Sequence, residues 1–237
     1  MNDYKFCIIE AITQSSTFRN AEFQNFHKSY KLPPPTTLIG FAGAALGLSP
    51  KASQEFFDND KFKMGIYGYS EGIAEDLWKY NNFTPQKSII KREILFLNHF
   101  LIVYGSTNKN KISKLKESFD NPKYALSLGS NDSLAFIKKV ESKIQTSENN
   151  MVEYCLVEGD IIKEVMDNSN NGFEFSIYST SDPITYDLPL KFEYESDYGM
   201  RKVVKRKTFS FVGKRMKLNI VKKGVNYKNI FIPIFDY

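Results

Sequence analysis

The chain has 237 residues, 42% of them hydrophobic and 15% aromatic, enough apolar content for one large domain or two small ones. Its formal charge is only +5, and no apolar run approaches the roughly 20 residues that cross a bilayer as a helix. The opening MNDYKFCIIE carries no secretory leader pattern, so a soluble, cytoplasmic protein with no membrane partner is expected.

Tyr4 to Ile12 reads as a first strand, followed by a polar loop over Thr13 to Asn20. Cys7 in FCII and Cys155 in YCLV make no metal-ligand spacing and read as buried, reduced thiols. Pro33, Pro34 and Pro35 then stop an extended segment and offer an N1 position for a helix over Thr37 to Gly47, with Thr36 or Thr37 as its cap. Leu38, Ile39, Phe41, Ala42, Ala45 and Leu46 fall at helical spacing, whereas Gly40, Gly43, Ala44 and Gly47 leave little bulk. Glycine inside a helix costs about 1 kcal/mol relative to alanine, so something must approach this one closely, either a backbone or a phosphate.

A short helix near Pro50 to Asp58 and a strand over Phe62 to Tyr69 come next. Ser70 to Ile90, with Trp78, Tyr80, Phe83 and Pro85, interrupts the strand pattern and reads as a projecting hairpin or loop. Ile94 to Val103 is a strong strand, and Asn131 to Ile144 is predicted helical because Leu134, Ile137, Val140 and Ile144 recur at helical spacing. Val152 to Val157 is a further strand. Beyond about residue 150 the segments Phe173–Tyr178, Leu190–Tyr194, Val203–Phe211 and Met216–Val221 read as short strands separated by turns.

Charge is unevenly distributed. Nine acidic and two basic residues lie between Asp160 and Met200, then ten basic and no acidic residues between Arg201 and Gly224. Such a block suits contact with a polyanion, and equally suits a solvated strand face balanced by the acidic stretch before it.

Three segments, in order, carry a family resemblance. They are SYKLPPPTTLIGFAGAALGL at Ser29–Leu48, preceded by TFRNAEFQNF at Thr17–Phe26; KREILFLNHFLIVYG at Lys91–Gly105; and NPKYALSLGSNDSL at Asn121–Leu134. Together they resemble the CRISPR-associated fifth Cas protein family of the RAMP superfamily, in a style closest to subtype I-B. The resemblance implies an α+β fold: a ferredoxin-like (RRM/RAMP-type) N-terminal domain over residues 1–150 and a smaller β-rich C-terminal lobe over residues 151–237. It also implies a non-catalytic subunit of a type I surveillance complex (Cascade) that caps the 5′ handle of the guide RNA (crRNA) and bridges the backbone and large subunits. Target DNA would meet it through the complex. The segment near 70–90 takes the position of that family's thumb, which flips a guide base.

RNA contacts are expected from Arg19, Lys28, Tyr30 and Lys31 around the prolines, from Thr36 and Thr37 at the helix N-terminus, and from Trp78 in the insertion. Lys91 and Arg92, at the start of a strand, are added to these, with a charge pair to Glu93 as the plainer reading. Arg206 and Arg215 represent the basic block.

Catalysis is less well provided for. Only His27 and His99 are present, 72 positions apart, with no zinc spacing, and there is no Gly-x-Ser-x-Gly elbow. No metal or cofactor is expected. One branch of the resembled family processes its own guide RNA with a Tyr on the glycine-rich helix and a Lys-His pair; here the Tyr position corresponds to Leu46 and no histidine follows Phe100. A metal-independent endoribonuclease using His27, read as a polar-loop residue, is the alternative.

Overall fold

The computed structural model describes residues 3–23, 25–81, 87–162 and 183–237. Strand β1 (Lys5–Ser16) sends Cys7, Ile9 and Ala11 into a core shared with helix residues, and Phe6 and Ile8 into a second core with Val225 and Ile232. Successive side chains of a strand point to opposite faces, so this part of β1 is covered on both sides. That is why FCII is continuously apolar instead of alternating.

A two-residue strand β2 (Phe26–His27) leads to helix α1 (Pro35–Leu46) and helix α2 (Pro50–Asp58). Pro34, not a threonine, is the N-cap of α1, and no side chain caps it; the Thr37 N–H bonds the Pro34 carbonyl instead. Gly47 takes φ 74° after the last turn, with its N–H on the Ala44 carbonyl and the Leu48 N–H on the Gly43 carbonyl, a glycine-terminated Schellman end. Gly43 admits α2: a Cβ there would lie 1.8 Å from Ser53 Oγ. The close approach inferred from sequence is thus helix on helix.

Two 20-residue strands follow, β3 (Phe62–Asn81) and β4 (Lys87–Ser106), paired from Phe62↔Ser106 to Asn81↔Lys87. The 70–90 segment is therefore a hairpin that extends the sheet; its tip, with Phe83 and Pro85, lies outside the described residues. Next come α3 (Lys109–Asp120) and β5 (Ala135–Glu141). The four strands lie in the order β5-β1-β4-β3, all neighbours antiparallel.

Residues 135–141 are a strand, not a helix. The pairing of β5 with β1 shifts register at Glu10/Ala11, leaving Lys138 unpaired between Ile137 and Lys139, so that Ile137 and Val140 both pack on the core three residues apart. A bulge has imitated helical spacing. The helix itself is α3, where Ile112, Leu115 and Phe119 are buried behind an Asn108 N-cap that accepts from the Asn110 N–H.

The sheet continues on the β3 side as β11 (Ile230–Asp236), β10 (Met216–Tyr227) and β6 (Gln145–Val152). Tyr154 at φ 48° separates β6 from β7 (Cys155–Glu158), breaking the strand expected over 152–157. β7 pairs with β9 (Arg201–Val212), which forms a hairpin with β8 (Ile184–Tyr194). The segments at 167–172 and 173–178 lie outside the described residues. Leu156, Leu188, Phe209, Phe211 and Phe235 join the same core as α1, α3 and the helix side of β1, and Cys7 and Cys155 are fully buried.

Candidate nucleic-acid interface

Several of the residues expected to meet RNA converge at the root of the β3–β4 hairpin. β2 runs parallel beside β4, with Phe26 opposite Lys91 and His27 opposite Arg92, and Arg19 bridges to Ser29 in the same loop. On one face of the hairpin Lys91 reaches Glu75 at 3.3 Å, while Lys31 reaches Glu93 at 3.2 Å. Both replace the Lys91–Glu93 pair expected from sequence.

On the opposite face Arg92 is buried. Its Nε and Nη2 donate to the two carboxylate oxygens of Asp76 at 3.1 and 2.8 Å, a bidentate pair, and Nη2 also reaches Asp132 at 3.3 Å. The indole of Trp78 lies 4.9 Å from the guanidinium. Hydrogen bonding and the two carboxylates hold Arg92 still more firmly protonated than usual. This guanidinium is engaged on every side, so its geometry suits setting the hairpin better than touching a ligand.

Asp132 comes from the LGSND segment. Its carboxylate accepts from the Ser130 hydroxyl, which with Arg92 keeps it below the ordinary carboxylate range. Gly129 stands at φ 112°, and a Cβ there would lie 2.5 Å from the Thr17 carbonyl. The signature thus pins the loop before β1's neighbour to the hairpin.

His27 is 3% exposed and packs edge-on to Trp78 at 5.9 Å, with no hydrogen-bond partner for Nε2. Burial, followed by the charges of Arg19 and Arg92, pushes its pKa down. It is a core residue of the hairpin root and not the polar-loop histidine expected from sequence.

Alongside, a cleft of about 430 Å³ runs between the loop after β2, the β3 edge and the β8–β9 hairpin. Lys28 and Lys31 stand on one wall, Tyr69 and Ile73 on the second, Tyr154 and Tyr186 on the third. Tyr30 is its buried floor: the ring stacks on Phe211 at 5.4 Å, meets Tyr186 edge-on and donates to Asn20 Oδ1 at 3.1 Å. Burial, then Glu22 and Tyr186, push that phenol up to about 12. Aromatic walls suit an unstacked strand, and Lys28 offers its phosphate an ammonium, whereas Lys31 is held by Glu93, which also lines the cleft.

The remaining sequence-assigned residues lie apart. Thr36 and Thr37 are half-buried in the first turn of α1. Arg206, exposed on β9, donates to the Asp187 carbonyl, and Arg215 is exposed in the turn before β10. Sequence reasoning missed Tyr69, His99 and Tyr154, where the Tyr69 and His99 rings stack at 5.3 Å and Tyr154 is 39% exposed. For Tyr69 and His99, cross-strand partners on β3 and β4, the available signal was an aromatic in each of two strands, whereas Tyr154, between β6 and β7, had none. Among the described residues no cluster of metal-ligating side chains occurs, and no helix is long and apolar enough to cross a membrane.

A family model described as CRISPR-associated protein (Cas_Cas5) matches residues 10–204. The chain belongs to this Cas5 family. Among solved structures, this Cas5 chain resembles one from a CRISPR RNA-guided surveillance complex at 11% identity, covering 91% of each chain with a TM-score of 0.51. A CRISPR protein from Archaeoglobus fulgidus aligns over 96% of this chain and 98% of its own, at 10% identity and a TM-score of 0.46. Protein SMU1763c from Streptococcus mutans aligns over 92% and 96%, at 11% identity and a TM-score of 0.36. At such identities the likeness is one of fold. No curated protein matches.

Proposed function

We propose that this Cas5 chain is a non-catalytic, cytoplasmic, guide-RNA-binding subunit of a type I CRISPR surveillance complex, capping the 5′ handle of the guide and bridging the backbone and large subunits. The observation that carries the reading is the family match over residues 10–204, joined by the fold-level likeness to a chain of an RNA-guided surveillance complex. Apart from the two-residue β2, the succession β1-α1-α2-β3-β4-α3-β5 in the order β5-β1-β4-β3 supports a ferredoxin-like reading of the first 150 or so residues, with the β3–β4 hairpin as the thumb. The aromatic cleft at the hairpin root, with Lys28 at its rim, supports the reading by offering stacking faces to a single strand. Burial of His27 against Trp78 speaks against its use as the general base of a ribonuclease, because it closes the ring off from a substrate hydroxyl.

The test is electrophoretic binding of labelled guide-repeat RNA in EDTA at two salt concentrations, with cleavage read in the same lanes. Handle-bearing RNA is expected to bind in preference to scrambled RNA, more weakly at high salt and without being cut. Equal affinity for the two RNAs, alone and with co-expressed partner subunits, would sink the reading. Specific cleavage abolished by His27→Ala would replace it with the endoribonuclease.

A further inference from the structure

A second cleft, of about 370 Å³, opens between the outer face of α1–α2 and the β8–β9 hairpin, lined by residues other than those of the cleft described above. Four aromatic rings, those of Tyr124, Phe192, Tyr194 and Tyr198, and the guanidinium of Arg201 surround it. Tyr198 is 74% exposed and Tyr124 54%, so these rings contribute little to the core. Exposed aromatics gathered around one hollow call for a ligand more than scattered ones do.

Three details shape the hollow. Gln54 of α2 donates to the Phe192 carbonyl at 2.6 Å and accepts from the Phe192 N–H at 2.7 Å, which fixes the hairpin's distance from the helices. Arg201 lies 4.5 Å over the Phe192 ring, and no carboxylate pairs with it among the described residues. Gly40 lies in the helical wall, and a Cβ built there meets nothing within 4 Å. Unlike Gly43, it is not required by helix packing, and its bare backbone leaves room for a flat group against α1.

We propose that this cleft binds one unstacked nucleotide, its base between the tyrosine and phenylalanine rings and its phosphate on Arg201. Stacking faces together with an unpaired guanidinium select a planar ring joined to an anion, and the volume falls in the range of small-ligand pockets. The nucleotide is either free or part of a strand. The strand source rests on the RNA-binding reading above, whereas the free-nucleotide source does not.

The experiment titrates the full chain with AMP and with inorganic phosphate by calorimetry, and separately with labelled single-stranded RNA. Wild type is compared with Tyr198→Ala, Arg201→Ala and Gly40→Leu. The last fills the wall while leaving the rings, Arg201 and the hairpin anchor in place, so its effect is separable from misfolding. Phosphate alone is expected to bind at least tenfold more weakly than AMP, and each variant to weaken nucleotide binding about tenfold, the scale of one stacked base. Parallel losses for RNA identify a nucleotide of the strand; losses for AMP alone identify a free nucleotide. Unchanged AMP and RNA binding in all three variants, or a wild type that binds neither, overturns the proposal. Intact AMP binding without preference for handle-bearing RNA would remove the surveillance-subunit reading and leave the pocket standing.

Discussion

Arg92 on β4 and Asp132 in the turn before β5 meet at 3.3 Å, tying the root of the long hairpin to a segment 40 residues further along the chain. The two carboxylates on Arg92 are unequal. The Arg92 side chain is 8% exposed, Asp76 39% and Asp132 62%.

This inequality predicts different costs. Asp76→Ala removes the bidentate partner of a buried guanidinium and is expected to cost about 2–3 kcal/mol. Asp132→Ala removes a solvent-screened partner and is expected to cost about 1 kcal/mol or less. Urea unfolding of both variants checks the ranking, which fails if the two losses are equal.

The two helical glycines of α1 are expected to respond with opposite signs. Gly43→Ala drives a methyl into Ser53, whose Cβ would stand 2.5 Å away, and overpacking of this kind costs about 1–3 kcal/mol. Gly40→Ala meets open space and is expected to stabilise by up to about 1 kcal/mol. Thermal melts of the pair, with Gly43→Ala/Ser53→Gly as the rescue, decide it.

Acid is expected to loosen the hairpin root. His27 is held below its ordinary 6.5, so below that pH the unfolded chain takes up the proton more readily than the folded one, and stability falls as pH drops from 6.5 toward the folded value. Asp132, also held low, adds a second loss below its ordinary 3.8. Chemical denaturation at pH 7.5 and 5.5 is expected to show a stability difference that shrinks in His27→Gln; an unchanged difference would place the acid sensitivity elsewhere.

Neither thiol is expected to react in the folded protein. Burial pushes Cys7 up to about 12 and Cys155 higher still, so the thiolate is scarce as well as inaccessible. A chromogenic disulfide reagent is expected to find no thiol under native conditions and two in denaturant, and fast native labelling of either would contradict the packing described.

What was legible in the sequence was local. Pro50–Asp58 and the helix after the three prolines declare themselves through proline at N1 and apolar spacing, and the insertion declares itself through lost periodicity. The bulge on β5 was not legible, because the extra residue is defined by its partner Glu10/Ala11, 127 or so positions earlier in the chain. For the site, lysines and aromatics were named from composition, but whether a cation is free or engaged depends on distant carboxylates. Arg92 with Asp132 and Lys31 with Glu93 are such cases. His27 is the sharpest example: its polar sequence neighbours conceal a ring wedged against Trp78.

β11 lies between β3 and β10, and the Tyr237 N–H closes on the Phe62 carbonyl. β7 meets the same edge at Tyr67, so it is the Lys63–Gly65 stretch of β3 that lacks its neighbour until β11 has been made. An open strand margin of this kind invites pairing with other chains, so a version of this chain lacking β11 is expected to aggregate where the full chain does not.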